Sequence, residues 1–107
     1  MSVARRAYIE TEAGFAPDDG GARWTFAGSL TSANAGAVLA AAAALPLPVE
    51  GEVDLRDVDG IDSAAVAVLL ALKRRAAEEG RPLRFVGVPA ALAALAELYG
   101  VEEILVA

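Results

Sequence analysis

Apolar residues recur along this chain with two periods, and the changes from one to the other predict alternating strands and helices. Ala7 to Glu12 alternates weakly around Tyr8 and Ile9 and predicts a first strand. Gly14 to Gly21, containing Pro17-Asp18-Asp19-Gly20-Gly21, is turn material that would join it to a second strand as a loosely connected hairpin. Ala22 to Gly28 puts Trp24 and Phe26 on one face, the alternation of a half-buried antiparallel strand, and aromatics this scarce belong in the core. Thr31 or Ser32 can cap a helix through Ala35, Val38, Leu39, Ala42 and Leu45, which Pro46 and Pro48 end. Its Ala40 to Ala44 ridge is nearly featureless and suits close packing or a weak apolar surface.

The stretch from Glu52 to Leu72 organises the rest. Val53 and Leu55 have strand spacing, and Asp57, Asp59 and Gly60 are turn residues expected to stop that strand. From Ser63 to Glu79 there is neither Pro nor Gly, and Ala and Leu dominate, so a helix ~25 Å long is predicted. Asp62 or Ser63 is its N-cap. Ala65, Leu69, Leu72 and Ala76 form the stripe expected to face a sheet, with Val66, Leu70 and Lys73 on a neighbouring face. Gly80-Arg81-Pro82 ends the helix. Leu83 to Val88 predicts a strand buried on both sides. Pro89 opens a short helix with Leu92, Leu95, Leu98 and Tyr99 inward, and Gly100 closes it. Ile104-Leu105-Val106 is a last short strand or a packed tail. The order is β-β-α-β-α-β-α(-β), an α/β fold. Right-handed crossovers would put the later helices mainly on one face of a mixed sheet.

A chain of 107 residues is expected to be one domain, 1–107, able to fold without staples. Cysteine and histidine are both absent, which removes disulfides, thiolate nucleophiles and histidine-based catalytic arrangements. Nine basic against fifteen acidic residues leave a net charge of −6, so nucleic acid is not an expected partner. Basic residues cluster only at Arg5-Arg6 and Lys73-Arg74-Arg75, the latter read as a solvated helix flank. No apolar signal region follows Arg5-Arg6, and no apolar run approaches the ~20 residues of a bilayer span. The expected location is therefore cytoplasmic, without direct membrane insertion.

Asp54, Asp57, Asp59 and Asp62 invite a metal reading, but twelve-residue calcium loops starting at Asp57 or Asp59 would close on Val68 or Leu70, which are apolar. A phosphate-accepting aspartate site fails as well, because the only lysine, Lys73, lies inside the long helix. There is no phosphate-binding Gly-rich loop of the Gly-x-x-x-x-Gly-Lys-Ser/Thr type. Ser63 has no general base within reach, since Lys73 lies ~15 Å along the helix. No catalytic residue, metal or cofactor is expected. Two roles for Ser63 stay open: a cap, or a hydroxyl whose phosphate the helix dipole would stabilise and the nearby aspartates oppose.

Val-Asp-Leu-x-x-Val-x-x-Ile-Asp-Ser-x-x-Val-x-x-Leu-Leu-x-Leu, from Val53 to Leu72, resembles the signature of the STAS domain family. Trp24 to Thr31 resembles the family's second strand and its ending. Phe85-Val86-Gly87-Val88 and Leu95 to Val101 are similar to the C-terminal part of MlaB-like proteins, the small STAS subunits of Mla-type phospholipid ABC transporters. The resemblance implies a non-catalytic subunit that binds and supports the transporter's ATPase at the inner face of the membrane. It places the partner-binding or regulatory site at Asp62, Ser63, Ala64, Ala65 and Val66. The alternative it implies is an anti-sigma factor antagonist, phosphorylated on Ser63 by the kinase it binds. The Leu98-Tyr99-Gly100-Val101 block favours the transporter role, and Ala65, where the family usually has glycine, weighs against the kinase-substrate role. A small-ligand-binding STAS module is a third reading, for which the sequence names no pocket.

Overall fold

The computed structural model describes residues 13–105. Its strands form one mixed four-stranded sheet in the order β1-β2-β3-β4. The elements are β1 (Gly14–Asp18), β2 (Arg23–Leu30), α1 (Ala35–Ala43), β3 (Glu52–Ile61), α2 (Ser63–Glu78), β4 (Arg84–Val86) and α3 (Ala90–Leu98). Short 3-10 turns lie at Asp19–Gly21 and Glu102–Leu105. β1 and β2 are antiparallel, whereas β2–β3 and β3–β4 are parallel, as helical crossovers require. The α/β class and the mixed sheet agree with the sequence expectation.

The core lies between the sheet and α2, where alternating strand residues meet a helical stripe. Trp24, Phe26, Leu30, Val53, Leu55 and Phe85 are buried from the sheet side. Ala65, Leu69, Leu72 and Ala76 are buried from α2, at the predicted spacing. Phe15 adds its ring edge-on to Phe26, with centroids 4.8 Å apart. The Trp24 indole N–H, whose ring is buried, donates to the Pro46 carbonyl at 3.2 Å, so the chain after α1 is tied to the sheet. The opposite face carries Thr25, Asp54 and Arg56; an ion pair from Arg84 to Glu52 at 2.8 Å joins β4 to β3, and Arg56 pairs with Asp54 along β3 at 3.1 Å.

The structure departs from the sequence pattern in five places, each for a physical reason. The Ala7–Glu12 strand lies outside the described residues. The first described strand instead occupies Gly14–Asp18, which the sequence assigned to a turn, and its Pro17 fits because β1 is the outermost described strand. The turn itself contracts to Asp19–Gly21.

Neither Thr31 nor Ser32 caps α1. The Thr31 amide donates to Asn34 Oδ1 at 2.9 Å and the Thr31 hydroxyl accepts from the Ala33 amide at 3.2 Å, a side-chain-bonded turn that delays the helix to Ala35.

Asp57, Asp59 and Gly60 do not stop the third strand, which runs on to Ile61. β3 uses ten residues alongside the eight of β2, and the register slips at Thr25/Ala27 and at Gly28/Ser29. Each slip inserts a bulge residue, so the inward positions Val53, Leu55, Val58 and Ile61 step by two and then by three. A pattern that abandons strict alternation in this way reads as a turn.

β4 is three residues long and lies at the edge of the described sheet, with only Phe85 of its residues buried. A strand buried on both faces was expected over Leu83 to Val88. On α3, Leu92 and Ala96 are buried, but Leu98 and Tyr99 are 74% and 55% exposed. Leu98 sits ~120° round the helix from Leu92, off the inward face. Tyr99 is the C-cap, where the helix has already run out.

Candidate functional site

The parallel strands β2 and β3 both end at one edge of the sheet and hand the chain to α1 and α2, the position where α/β folds gather their sites. Two loops meet there. Asp62 Oδ1 accepts from the Ala64 amide at 2.8 Å and caps α2, while Asp62 Oδ2 accepts from the Ser32 amide at 2.9 Å and holds the β2–α1 loop. These two amides, Ser32 first and then Ala64, hold the Asp62 carboxyl below its ordinary value of 3.8.

With Asp62 as the cap, Ser63 is left as the first residue of α2 and is exposed. Among the described residues its hydroxyl has no hydrogen-bond partner. Of the other residues expected at the site, Ala64 is half-buried. Ala65 is 0% and Val66 4% exposed, so Ala65 faces the sheet and cannot meet a partner directly. The accessible face of α2 is instead Ser63, Ala67, Leu70 and Arg74, spaced as one helical stripe.

That stripe borders a shallow groove of about 250 Å³ lined by Ser63, Val66, Ala67, Leu70, Tyr99 and Val101. Its second wall is built by the end of α3. The Gly100 amide donates to Glu97 O at 3.0 Å and the Val101 amide to Ala96 O at 2.9 Å, a reversal that requires the positive φ of 72° at Gly100. The turn brings Val101 back toward α2 beside the Tyr99 ring. Ser63 is thus the polar lip of an otherwise apolar depression. Two larger depressions, about 380 Å³ beside Asn34 and Ala37 and about 320 Å³ beside Lys73 and Arg84, lie on other parts of the surface.

Tyr99, Val101 and Leu70 were not among the expected site residues. The signal for Tyr99 was its place just before Gly100: a residue at a helix C-cap does not share the inward stripe. Among the described residues, no three Asp or Glu side chains come together to hold a metal ion, and no helix is long and apolar enough to cross a membrane. Asp54 is engaged by Arg56, and Asp62 by the two amides.

No curated protein matches the chain. Residues 16–107 match the family described as "Mlab, STAS domain". That span includes β2, the bulged β3, the Asp62-Ser63 helix start and the Tyr99-Gly100-Val101 reversal, and the chain is a member of the MlaB-like STAS domain family.

Proposed function

We propose that this protein is a non-catalytic STAS subunit that docks on the ATPase of a phospholipid-transporting ABC transporter of the Mla type and supports it. The observation that carries the proposal is the state of Ser63. Its neighbour Asp62 does the capping, so the serine hydroxyl stands exposed on the lip of an apolar groove, with small Ala67 one turn on. Small residues on that flank allow a partner helix to approach closely, and Tyr99 supplies a large amphipathic contact. The adjacent Asp62 carboxylate is taken up by the Ser32 and Ala64 amides rather than by the Ser63 hydroxyl, which suits that hydroxyl to recognition.

Replacing Ser63 with Arg fills the lip without touching the cap. The variant should keep the wild-type far-UV spectrum and urea midpoint, and should lose at least ~10-fold in affinity for the co-expressed ATPase subunit, more than a lost cap would account for. Equal affinity of the two proteins removes this face from the interface.

A second reading, an anti-sigma factor antagonist, is favoured by one observation, the accessibility of the Ser63 hydroxyl to a kinase. Intact mass of protein isolated from its host separates the two. The transporter reading expects the unmodified mass, and a dominant phosphoform at Ser63 supports the antagonist.

A further inference from the structure

The groove beside Ser63 is largely apolar in its lining, and the chain segments that supply that lining carry acidic residues close by in sequence. Glu97 lies two residues before Tyr99, Glu102 and Glu103 follow Val101 directly, and Asp59 precedes Asp62 by three residues. All four are exposed, and none has an ion-pair partner among the described residues.

The described basic residues are committed elsewhere. Arg23 pairs with Asp18 at 3.8 Å, Arg56 with Asp54 at 3.1 Å and Arg84 with Glu52 at 2.8 Å. Arg75 binds Glu79 at 2.9 Å and also the Ala42 and Leu45 carbonyls. Arg81 donates to the Pro48 carbonyl at 3.2 Å, and Lys73 donates to the Leu83 carbonyl beneath the Phe85 ring. Arg74 alone has no such partner among the described residues, and it stands one turn beyond Leu70 at the far end of the α2 stripe.

We infer that the occupant of this groove is a cationic amphipathic helix of the partner protein, with apolar anchors on one face and Lys or Arg on its flanks. This rests on the docking role proposed for the Ser63 face. The apolar floor takes the anchors, while the unpaired Glu97, Glu102, Glu103 and Asp59 carboxylates meet the flanking cations. Exposed carboxylates stay hydrated beside a neutral helix, attract a cationic one and repel an acidic one, so charge favours the cationic occupant. Arg74 adds direction: the end of the occupant that crosses it should be free of cations.

The test uses two synthetic helical peptides with the same leucine face, one flanked by lysines and the other by glutamates, titrated into the isotope-labelled full chain. The lysine peptide is expected to shift the backbone amides of Ser63, Ala67, Leu70 and Tyr99. Its affinity should fall ~10-fold or more in ~1 M salt, where charges are screened beyond about 3 Å. The double substitution Glu102→Gln and Glu103→Gln should produce a loss in the same direction at low salt, with the urea midpoint unchanged. Equal binding of the two peptides in the groove, or affinity independent of salt, overturns the cationic occupant and leaves the docking face standing. Shifts mapping elsewhere, or none, overturn it too. The Ser63→Arg measurement on the ATPase then decides the docking face separately.

Discussion

Asp62 and Ser32, thirty residues apart in the chain, are joined by a 2.9 Å hydrogen bond from the Ser32 amide to Asp62 Oδ2. The same carboxylate caps α2 through its other oxygen, so a single side chain fixes the β2–α1 loop against the start of the central helix. Because both amides prefer the charged form, the Asp62 carboxyl titrates below 3.8 in the folded protein. A depressed carboxyl contributes stability that is fully present above its unfolded value and lost as pH falls through the folded one. Wild type should therefore lose part of its urea midpoint below pH 3.8, and Asp62→Ala should start lower and lose less over that interval. Asp62→Asn can still accept from Ala64 but presents no second carboxylate oxygen to Ser32. Urea titrations of the three proteins across acid pH check the order.

Ser63→Ala should leave stability within about ±0.5 kcal/mol of wild type, because the serine side chain caps nothing. A destabilisation near ~1 kcal/mol, the value of a lost cap, would place the capping bond on Ser63 instead. Chemical denaturation at neutral pH is the measurement.

Tyr99→Ala removes a ring that is 55% exposed and stands at a helix end, so the fold should tolerate it. On the proposed docking role, affinity for the transporter ATPase subunit should drop by about 2 kcal/mol or more, as for an aromatic anchor in a small groove. Calorimetry on the pair reads both quantities, and an unchanged affinity would shift the contact away from α3.

Leu69→Ala acts on the core alone. Leu69 is fully buried on the α2 stripe between Ala65 and Leu72, and truncation there should cost about 2–5 kcal/mol. The urea midpoint should fall with little change in slope.

Two glycines should respond to alanine with opposite sign. Gly51 has φ 73°, and a Cβ there would lie 2.6 Å from the Pro82 carbonyl oxygen, a backbone atom held by the chain entering β4. Gly51→Ala should destabilise by more than about 1 kcal/mol. Gly36 lies in the first turn of α1 with nothing within 4 Å of an added Cβ, and Gly36→Ala should stabilise by up to about 1 kcal/mol. Thermal melts of the two variants against wild type check both signs.

How much of this was legible in the amino-acid order depends on how local the controlling interaction is. The α2 stripe from Ala65 to Ala76 and the end of α2 at Gly80 follow from neighbours three or four residues apart, and both are found where the spacing puts them. The choice of Asp62 over Ser63 as cap was open in the sequence, since both are good capping residues and adjacent positions offer overlapping sets of first-turn amides. The Ser32 amide, arriving from another loop, gives the second Asp62 oxygen its own partner. The acidic run from Asp57 to Gly60 continues as strand because β2 lies alongside with complementary backbone bonds, and two bulges absorb the mismatch in length. No composition rule carries that information.

The chain by itself determined an α/β protein built on a strand, an Asp-Ser helix start and an alanine-leucine helix, because helical periodicity, capping chemistry and glycine turns are local properties. Only the tertiary structure decided which of those residues meet solvent. Ala65 turns inward because the sheet lies behind it, Val66 is buried to 4% exposure yet lines the groove, and Tyr99 turns outward because α3 ends before its ring is covered. The groove between Ser63 and Val101 belongs to two helices separated by an entire strand, and its shape follows from how they pack.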